Sequence, residues 1–324
     1  MPDTESIRNI TVIGTGVIGA SWTALYLARG LDVVATDPAP GAEAALRKFV
    51  ETAWPALKRL GLSPGASQSN LKFTADLAEA VANAQLVQEN GPERIEFKRK
   101  LYGQLDELLA HDVIVASSSS GLTMSEIQQG AASHPERCVI AHPFNPPHLI
   151  PLVEIVGGAK TSEETIQRAS EFYASIGQRP VRLNKEMPGH VANRLQAALG
   201  REVYYLVAEG VLSAADVDTA LCWGPGLRWA IMGNMMLNHL GGGPGGIEHF
   251  FAQFTGPMTA WWKTLGSPVL TPEVQKVLID GVHAEVGSRS IAELEAERDE
   301  ILLGLLELRT KNAGRTVQKA AAAE

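Results

Sequence analysis

The feature that most constrains this chain is a glycine-spaced turn, Gly14-Thr15-Gly16-Val17-Ile18-Gly19. It sits between a buried-strand run, Ile10-Thr11-Val12-Ile13, and an apolar helical stretch, Ala20 to Arg29. Gly30 then ends the helix, and a second strand, Val33 to Thr36, leads into Asp37. Alone, such a turn says little. Here its setting is complete: strand, turn, helix, second strand, and an acid 23 positions beyond Gly14. Gly14 permits the tight turn, Gly16 lets backbone amides approach a pyrophosphate, and Gly19 lets the helix pack on the strand. Val17 and Ile18 complete the turn beside the cofactor, and the N-terminus of the helix that follows faces the phosphates with its partial positive charge. Asp37 would accept a hydrogen bond from a ribose 2′-hydroxyl and repel a 2′-phosphate. The nearest following arginine, Arg47, falls in a predicted helix, so NAD is expected rather than NADP.

The alternation of strand and helix continues. Helices are expected at Ala42–Leu60, at Asp76–Asn83 with Asp76 as its cap, and at Arg94–Leu109. Strands are expected at Leu71–Phe73, Leu86–Gln88, Val113–Ala116, Val139–Ile140, Leu152–Val156 and Pro180–Leu183. This pattern predicts an α/β, Rossmann-type, doubly wound and mainly parallel sheet. Beyond Met187 the character becomes helical throughout, which predicts an all-α C-terminal domain. The expected division is residues 1–186 for NAD binding and residues 187–324 for substrate binding and dimerisation. Gly241 to Gly246 has the composition of a phosphate loop, but no strand precedes it, so a flexible connection is expected there.

Charge excludes some functions. With 28 basic against 36 acidic residues, a net −8, the chain has no electrostatic footprint for nucleic acid or an acidic membrane. Two cysteines, Cys138 and Cys222, have no ligand-like neighbours, so neither a disulfide framework nor a metal site is expected. The first nine residues lack a cationic segment leading into an apolar stretch, and no run is apolar enough for a membrane span. A cytoplasmic protein acting on a small molecule is the expectation.

In a doubly wound sheet, ligands bind beyond the carboxyl ends of the strands. The Glu89–Glu93 segment, the run Ser117 to Gly121 and the loop Ala141-His142-Pro143-Phe144-Asn145-Pro146-Pro147 all fall at such ends. Three prolines in five residues stiffen that loop, and the next strand carries Glu154 among aliphatics. A histidine so placed beside a carboxylate predicts an oriented acid–base pair. An imidazole suits proton transfer near neutral pH, and a carboxylate on its far nitrogen fixes the tautomer and stabilises the imidazolium. Ser120 can also cap a helix starting near Thr123. His111, His134 and His148 are expected to be solvated or structurally bonded.

These motifs, with Met187-Pro188-Gly189-His190-Val191-Ala192-Asn193-Arg194-Leu195, resemble those of the 3-hydroxyacyl-CoA dehydrogenase superfamily over nearly the whole chain. The resemblance implies His142 as catalytic base, Glu154 as its support, and Ser120 and Asn193 as hydrogen-bond partners of the reacting oxygen. It also implies that Glu93 and Lys98 line the cofactor site. A homodimer formed through the helical domain is implied as well.

The second domain departs from the acyl-CoA pattern. Gly224 to Gly233, His249 to Phe254 and Arg289 to Glu300 resemble the carnitine-oxidising branch of the superfamily, and more distantly its L-gulonate, crystallin-like members. Carnitine carries a trimethylammonium group, which lacks donors and is met by aromatic faces. Trp229 is the candidate for that contact, and Arg194 or Arg228 for the carboxylate. A short 3-hydroxyacyl-CoA, L-gulonate, and a non-catalytic NAD-binding role stay open.

Overall fold

The structure, a computed structural model, describes residues 7–321, with side chains through residue 312. The N-terminal segment, expected from sequence to carry no leader, lies mostly outside the described residues, in residues 1–6. The first half of the chain alternates as its apolar runs predict. Strands β1 (Asn9–Ile13), β2 (Asp32–Thr36), β3 (Leu71–Thr74), β4 (Leu86–Glu89) and β5 (Ile114–Ser117) are separated by α1 (Val17–Ala28), α2 (Ala42–Leu60), α3 (Leu77–Val81) and α4 (Ile95–Leu108). Then come α5 (Met124–Ile127), β6 (Cys138–Pro143), β7 (Leu152–Gly157), α6 (Glu163–Ser175) and β8 (Arg179–Arg182).

The strands form one sheet in the order β3-β2-β1-β4-β5-β6-β7-β8, parallel throughout except between β6 and β7. β4, β5 and β6 are buried along their whole length, as strands covered on both faces must be. Successive side chains of a strand point to opposite faces. Val12 accordingly joins a core with Trp22, Leu25, Leu46 and Phe172 from α1, α2 and α6. Ile13 joins the other core, with Leu101, Leu105, Met124 and Ile127 from α4 and α5. The strand order turns in opposite directions from β1 and β4, which opens a crevice at their carboxyl ends.

Local capping chemistry sets several helix starts. Asp76 Oδ1 accepts the Glu79 amide at 2.8 Å, as its position before α3 predicts. α5 starts with Thr123 and Glu126 in a capping box, so Thr123 and not Ser120 caps that helix.

Two compact units are present. One runs through Asn193 and includes Leu302–Glu307, where Arg59 pairs with Glu307 at 2.6 Å. The other contains Arg194–Ile301 and the chain from Leu308, and among its described residues the only regular elements are helices. α7 (Ala192–Ala208) leads into it, followed by α8 (Ala214–Trp223), α9 (Pro225–Trp229), α10 (Asn234–Gly241), α11 (Gly246–Trp262), α12 (Pro272–Val286) and α13 (Ile291–Ala321). The glycine run at 241–246 is not a loose connection. It forms a single 3-10 turn joining α10 to α11, pinned where His239 Nδ1 accepts the Ile247 amide at 3.1 Å.

Candidate active site

The three glycines of the first turn have different reasons to be glycine. Gly14 has φ 80°, donates to Thr36 O at 2.9 Å, and a Cβ there would lie 2.7 Å from the Asn90 carbonyl oxygen. A Cβ on Gly19 would lie 1.9 Å from the Gly14 carbonyl oxygen, so Gly19 keeps helix and strand together. Around Gly16 nothing lies within 4 Å of a Cβ. Its glycine answers to open space in front of α1. That helix starts with no side-chain cap and no acidic residue in its first turn, so its leading amides suit an anion. Asp37 closes β2, and its carboxylate accepts from Thr15 N at 2.8 Å, Thr15 Oγ1 at 3.1 Å and Ala39 N at 2.9 Å. A carboxylate has about four acceptor positions, which leaves room for a ribose hydroxyl. The open cradle, the uncapped helix start and Asp37 fit NAD. The bracing of Asp37 by Thr15 was not legible from spacing.

At the end of β4 lies a buried ion pair. Lys98, with a side chain 1% exposed, places Nζ at 2.8 Å from both carboxylate oxygens of Glu89, which is fully buried. Ser117 Oγ and the Gly91 amide also donate to Glu89, each at 2.6 Å. Lys98 Nζ approaches Glu93 Oε2 at 3.8 Å. Glu93 turns its other oxygen to the serine run, accepting from Ser119 Oγ at 2.7 Å and from the amides of Ser120, Gly121 and Leu122 at 3.1, 2.7 and 3.2 Å. Burial alone would raise the Glu93 pKa. The Ser119 and backbone donors and the Lys98 charge outweigh it and hold the carboxyl below its usual range. Glu93 thus shapes the turn that carries Ser120, while Lys98 lies beneath it. Glu89, to which sequence assigned no role, is what makes a buried Lys98 tolerable.

His142 belongs to β6 itself and not to the loop beyond it, because antiparallel pairing with β7 carries the ladder on to Pro143. The register sets His142 directly opposite Glu154, and Nδ1 lies 2.9 Å from Glu154 Oε2. Both are buried, at 6% and 1% exposure. The carboxylate makes Nδ1 the protonated nitrogen, so the neutral ring carries its lone pair on Nε2. Glu154 Oε1 accepts the amides of Val191 and Ala192 at 2.8 and 3.0 Å, at the start of α7. Burial would raise the Glu154 pKa, but the bonds from His142, Ala192 and Val191 hold it below the ordinary range. Asn193 follows in the first turn of α7. His190 packs on His142 with ring centroids 5.0 Å apart. Of the other histidines, His148 bonds Ser21 Oγ at 2.7 Å and His134 sits 3.1 Å from Glu136.

A depressed carboxylate pKa stabilises the fold above the unfolded value, about 4.3, and that contribution is lost as pH falls through the folded value. Glu154→Gln should therefore lower Tm at pH 7, and lower it less at pH 3. A wild-type to variant gap in Tm that stays constant from pH 7 to pH 3 would contradict the assigned ionisation.

In the helical unit, Arg228 and Trp229 end α9, and Arg194 lies on α7. Trp229 is 42% exposed. The close ring pairs of this unit's described residues are Phe250 with Phe251 and with Phe254, at 5.8 and 5.0 Å. Trp229 is in neither.

Comparison with known proteins gives two domain matches: 3-hydroxyacyl-CoA dehydrogenase, NAD binding domain, over residues 9–187, and the C-terminal domain of the same family over residues 189–276. The L-carnitine dehydrogenase of Pseudomonas putida is 48% identical over 307 residues, covering 95% of each chain. That of Bacillus cereus is 46% identical over 307 residues, covering 95% of this chain and 94% of the relative. Among solved structures, 5-formyl-3-hydroxy-2-methylpyridine 4-carboxylic acid 5-dehydrogenase, an NAD+-dependent dismutase, superposes with TM-score 0.80 at 34% identity, covering 93% of this chain and 99% of its own. The 3-hydroxybutyryl-CoA dehydrogenase of Escherichia coli superposes with TM-score 0.64 at 26% identity, covering 85% and 57%.

Proposed function

The chain belongs to the 3-hydroxyacyl-CoA dehydrogenase family and is an NAD-dependent 3-hydroxy acid dehydrogenase, and we propose that it oxidises L-carnitine to 3-dehydrocarnitine with His142 as general base. The observation that carries the reaction is the His142–Glu154 pair, a buried imidazole whose Nδ1 is held at 2.9 Å and whose Nε2 is bonded to no described residue. What supports the substrate is the near-half identity with carnitine dehydrogenases over almost all of both chains.

When bound, NAD accepts the hydride that leaves C3. The amides at the start of α1 would hold its pyrophosphate and Asp37 its ribose. His142 Nε2 takes the hydroxyl proton as the carbon–oxygen bond becomes a carbonyl, and Glu154 stabilises the imidazolium that results. Ser120 and Asn193 hydrogen-bond the reacting oxygen without competing as bases. In the reverse direction the same imidazolium returns the proton. The deciding measurement is NADH formation with L-carnitine, L-gulonate and 3-hydroxybutyryl-CoA in parallel. Turnover of either of the others above L-carnitine would overturn the substrate, and turnover of none would overturn the enzyme's proposed chemistry.

Trp229 meets the trimethylammonium group, with Arg194 or Arg228 at the carboxylate. Trp229→Ala should weaken carnitine binding by ~0.5–2 kcal/mol in calorimetric titration with NADH present. Unchanged affinity would remove Trp229 from the site.

The helical unit exposes large apolar side chains, among them Trp223, Trp261, Trp262 and Val269. A surface of this kind is an association surface, and a homodimer through it is our reading. Sedimentation equilibrium giving the mass of a single chain would refute it. Among the described residues no helix is long and apolar enough to cross a membrane. A cytoplasmic location is part of the same reading, and cell fractionation tests it.

A further inference from the structure

We propose that His190 is a positioning residue, a second imidazole that ties the serine turn to the His142–Glu154 pair. It thereby sets the spacing between the group that holds the substrate oxygen and the group that takes its proton. The proposal rests on the reaction assigned above.

Three observations converge on this residue. First, among the described residues His190 is the sole non-glycine residue with positive φ, at 49°. A non-glycine side chain in that region is held there by its surroundings. Second, its Nε2 lies 3.0 Å from the Ser119 carbonyl oxygen. A carbonyl only accepts, so Nε2 carries the proton and the neutral ring leaves its lone pair on Nδ1. That Nδ1 is buried with no hydrogen-bond partner among the described residues, in a residue only 4% exposed. Third, the ring packs on His142, and the next two amides, Val191 and Ala192, are the ones that hold Glu154.

One short turn thus touches the serine run, the base and its carboxylate. Glu93 holds the same serine run through the amides of Ser120, Gly121 and Leu122. The serine run follows β5 and His142 lies in β6, and the His190 side chain touches both, bonding the Ser119 carbonyl and packing on the His142 ring. The charged or titratable groups facing it are His142, Glu154 and Glu93. Burial, helped by the neighbouring His142, holds its pKa below the ordinary histidine value, against the Ser119 bond and the two carboxylates. A neutral ring is what the role needs, because a second buried cation beside His142 would oppose formation of the imidazolium.

The test compares His190→Phe with His190→Gln. Phenylalanine keeps a ring of similar size but cannot donate to Ser119. Glutamine places an amide N–H at similar reach. His190→Phe should lower kcat for L-carnitine about tenfold or more, as a misplaced catalytic group does, with KM for NAD unchanged. His190→Gln should recover most of that loss. A side chain needed only for packing would give the opposite rank, and phenylalanine equal to or above glutamine in kcat overturns the proposal. A second readout does not depend on turnover. In 15N spectra of the intact protein at neutral pH, His190 should be protonated on Nε2 alone. The His142 ring signals should move in His190→Phe and return in His190→Gln. An Nδ1-protonated His190, or an unmoved His142, overturns the positioning role. If the wild-type chain does not oxidise L-carnitine, the substrate reading fails and these spectra still decide the question for His190.

Discussion

His142→Gln should reduce kcat by ~10²–10⁴-fold, the usual contribution of a positioned general base, while NAD still binds with wild-type affinity. Glutamine fills much of the same space, and its amide N–H can still donate to Glu154 Oε2. What it cannot do is accept a proton at the position of Nε2. The cofactor cradle is separate in structure: it is made by the Gly14–Gly19 turn and Asp37, and none of its described hydrogen bonds involves His142. Fluorescence titration with NADH and steady-state turnover of L-carnitine therefore give different answers for this variant. A kcat within about tenfold of wild type would mean that another group takes the proton.

Lys98→Met should destabilise the fold by ~3–5 kcal/mol, the range found when one partner of a buried ion pair is removed. Its side chain is 1% exposed, and its ammonium lies 2.8 Å from both oxygens of a fully buried Glu89. Methionine replaces the stem but leaves the carboxylate with only Ser117 Oγ and the Gly91 amide as described donors. A buried charge without its counter-charge is the costly case. Neutralising the pair together should be mild, so Lys98→Met with Glu89→Gln should recover most of the loss. Urea midpoints at constant m-value measure both variants. A loss below about 1 kcal/mol for Lys98→Met, the scale of a solvent-exposed pair, would show that Glu89 reaches water when the lysine is gone.

Much of the site was legible because its chemistry is local. The glycine turn states its purpose in six residues, since each glycine answers to a backbone requirement within its own strand–turn–helix. The same holds for Asp76 as a helix cap, where the acceptor and its donor amide are three residues apart. His142 and Glu154 were readable as a pair because a short hairpin-like connection separates them. Their membership of one ladder was less evident, since proline at 143 and 146 argues for loop and the antiparallel register argues for strand. Register won, and it brought the two side chains face to face.

Other parts had no local signal. Glu89 and Lys98 are nine residues apart across a turn, and only the packing of α4 on β4 buries both. Thr15 braces Asp37 from 22 residues away. Sequence offered Ser120 as the cap of the helix near Thr123, and only the built turn gives that cap to Thr123. The chain by itself determined an alternating fold, a dinucleotide turn and an oriented histidine, because periodicity, capping and backbone freedom act over a few residues. Tertiary structure decided the strand order, the face-to-face register of His142 and Glu154, and the meeting of His190 with Ser119. Those contacts join segments far apart in sequence, and their energies depend on burial and distance that no short stretch of residues encodes.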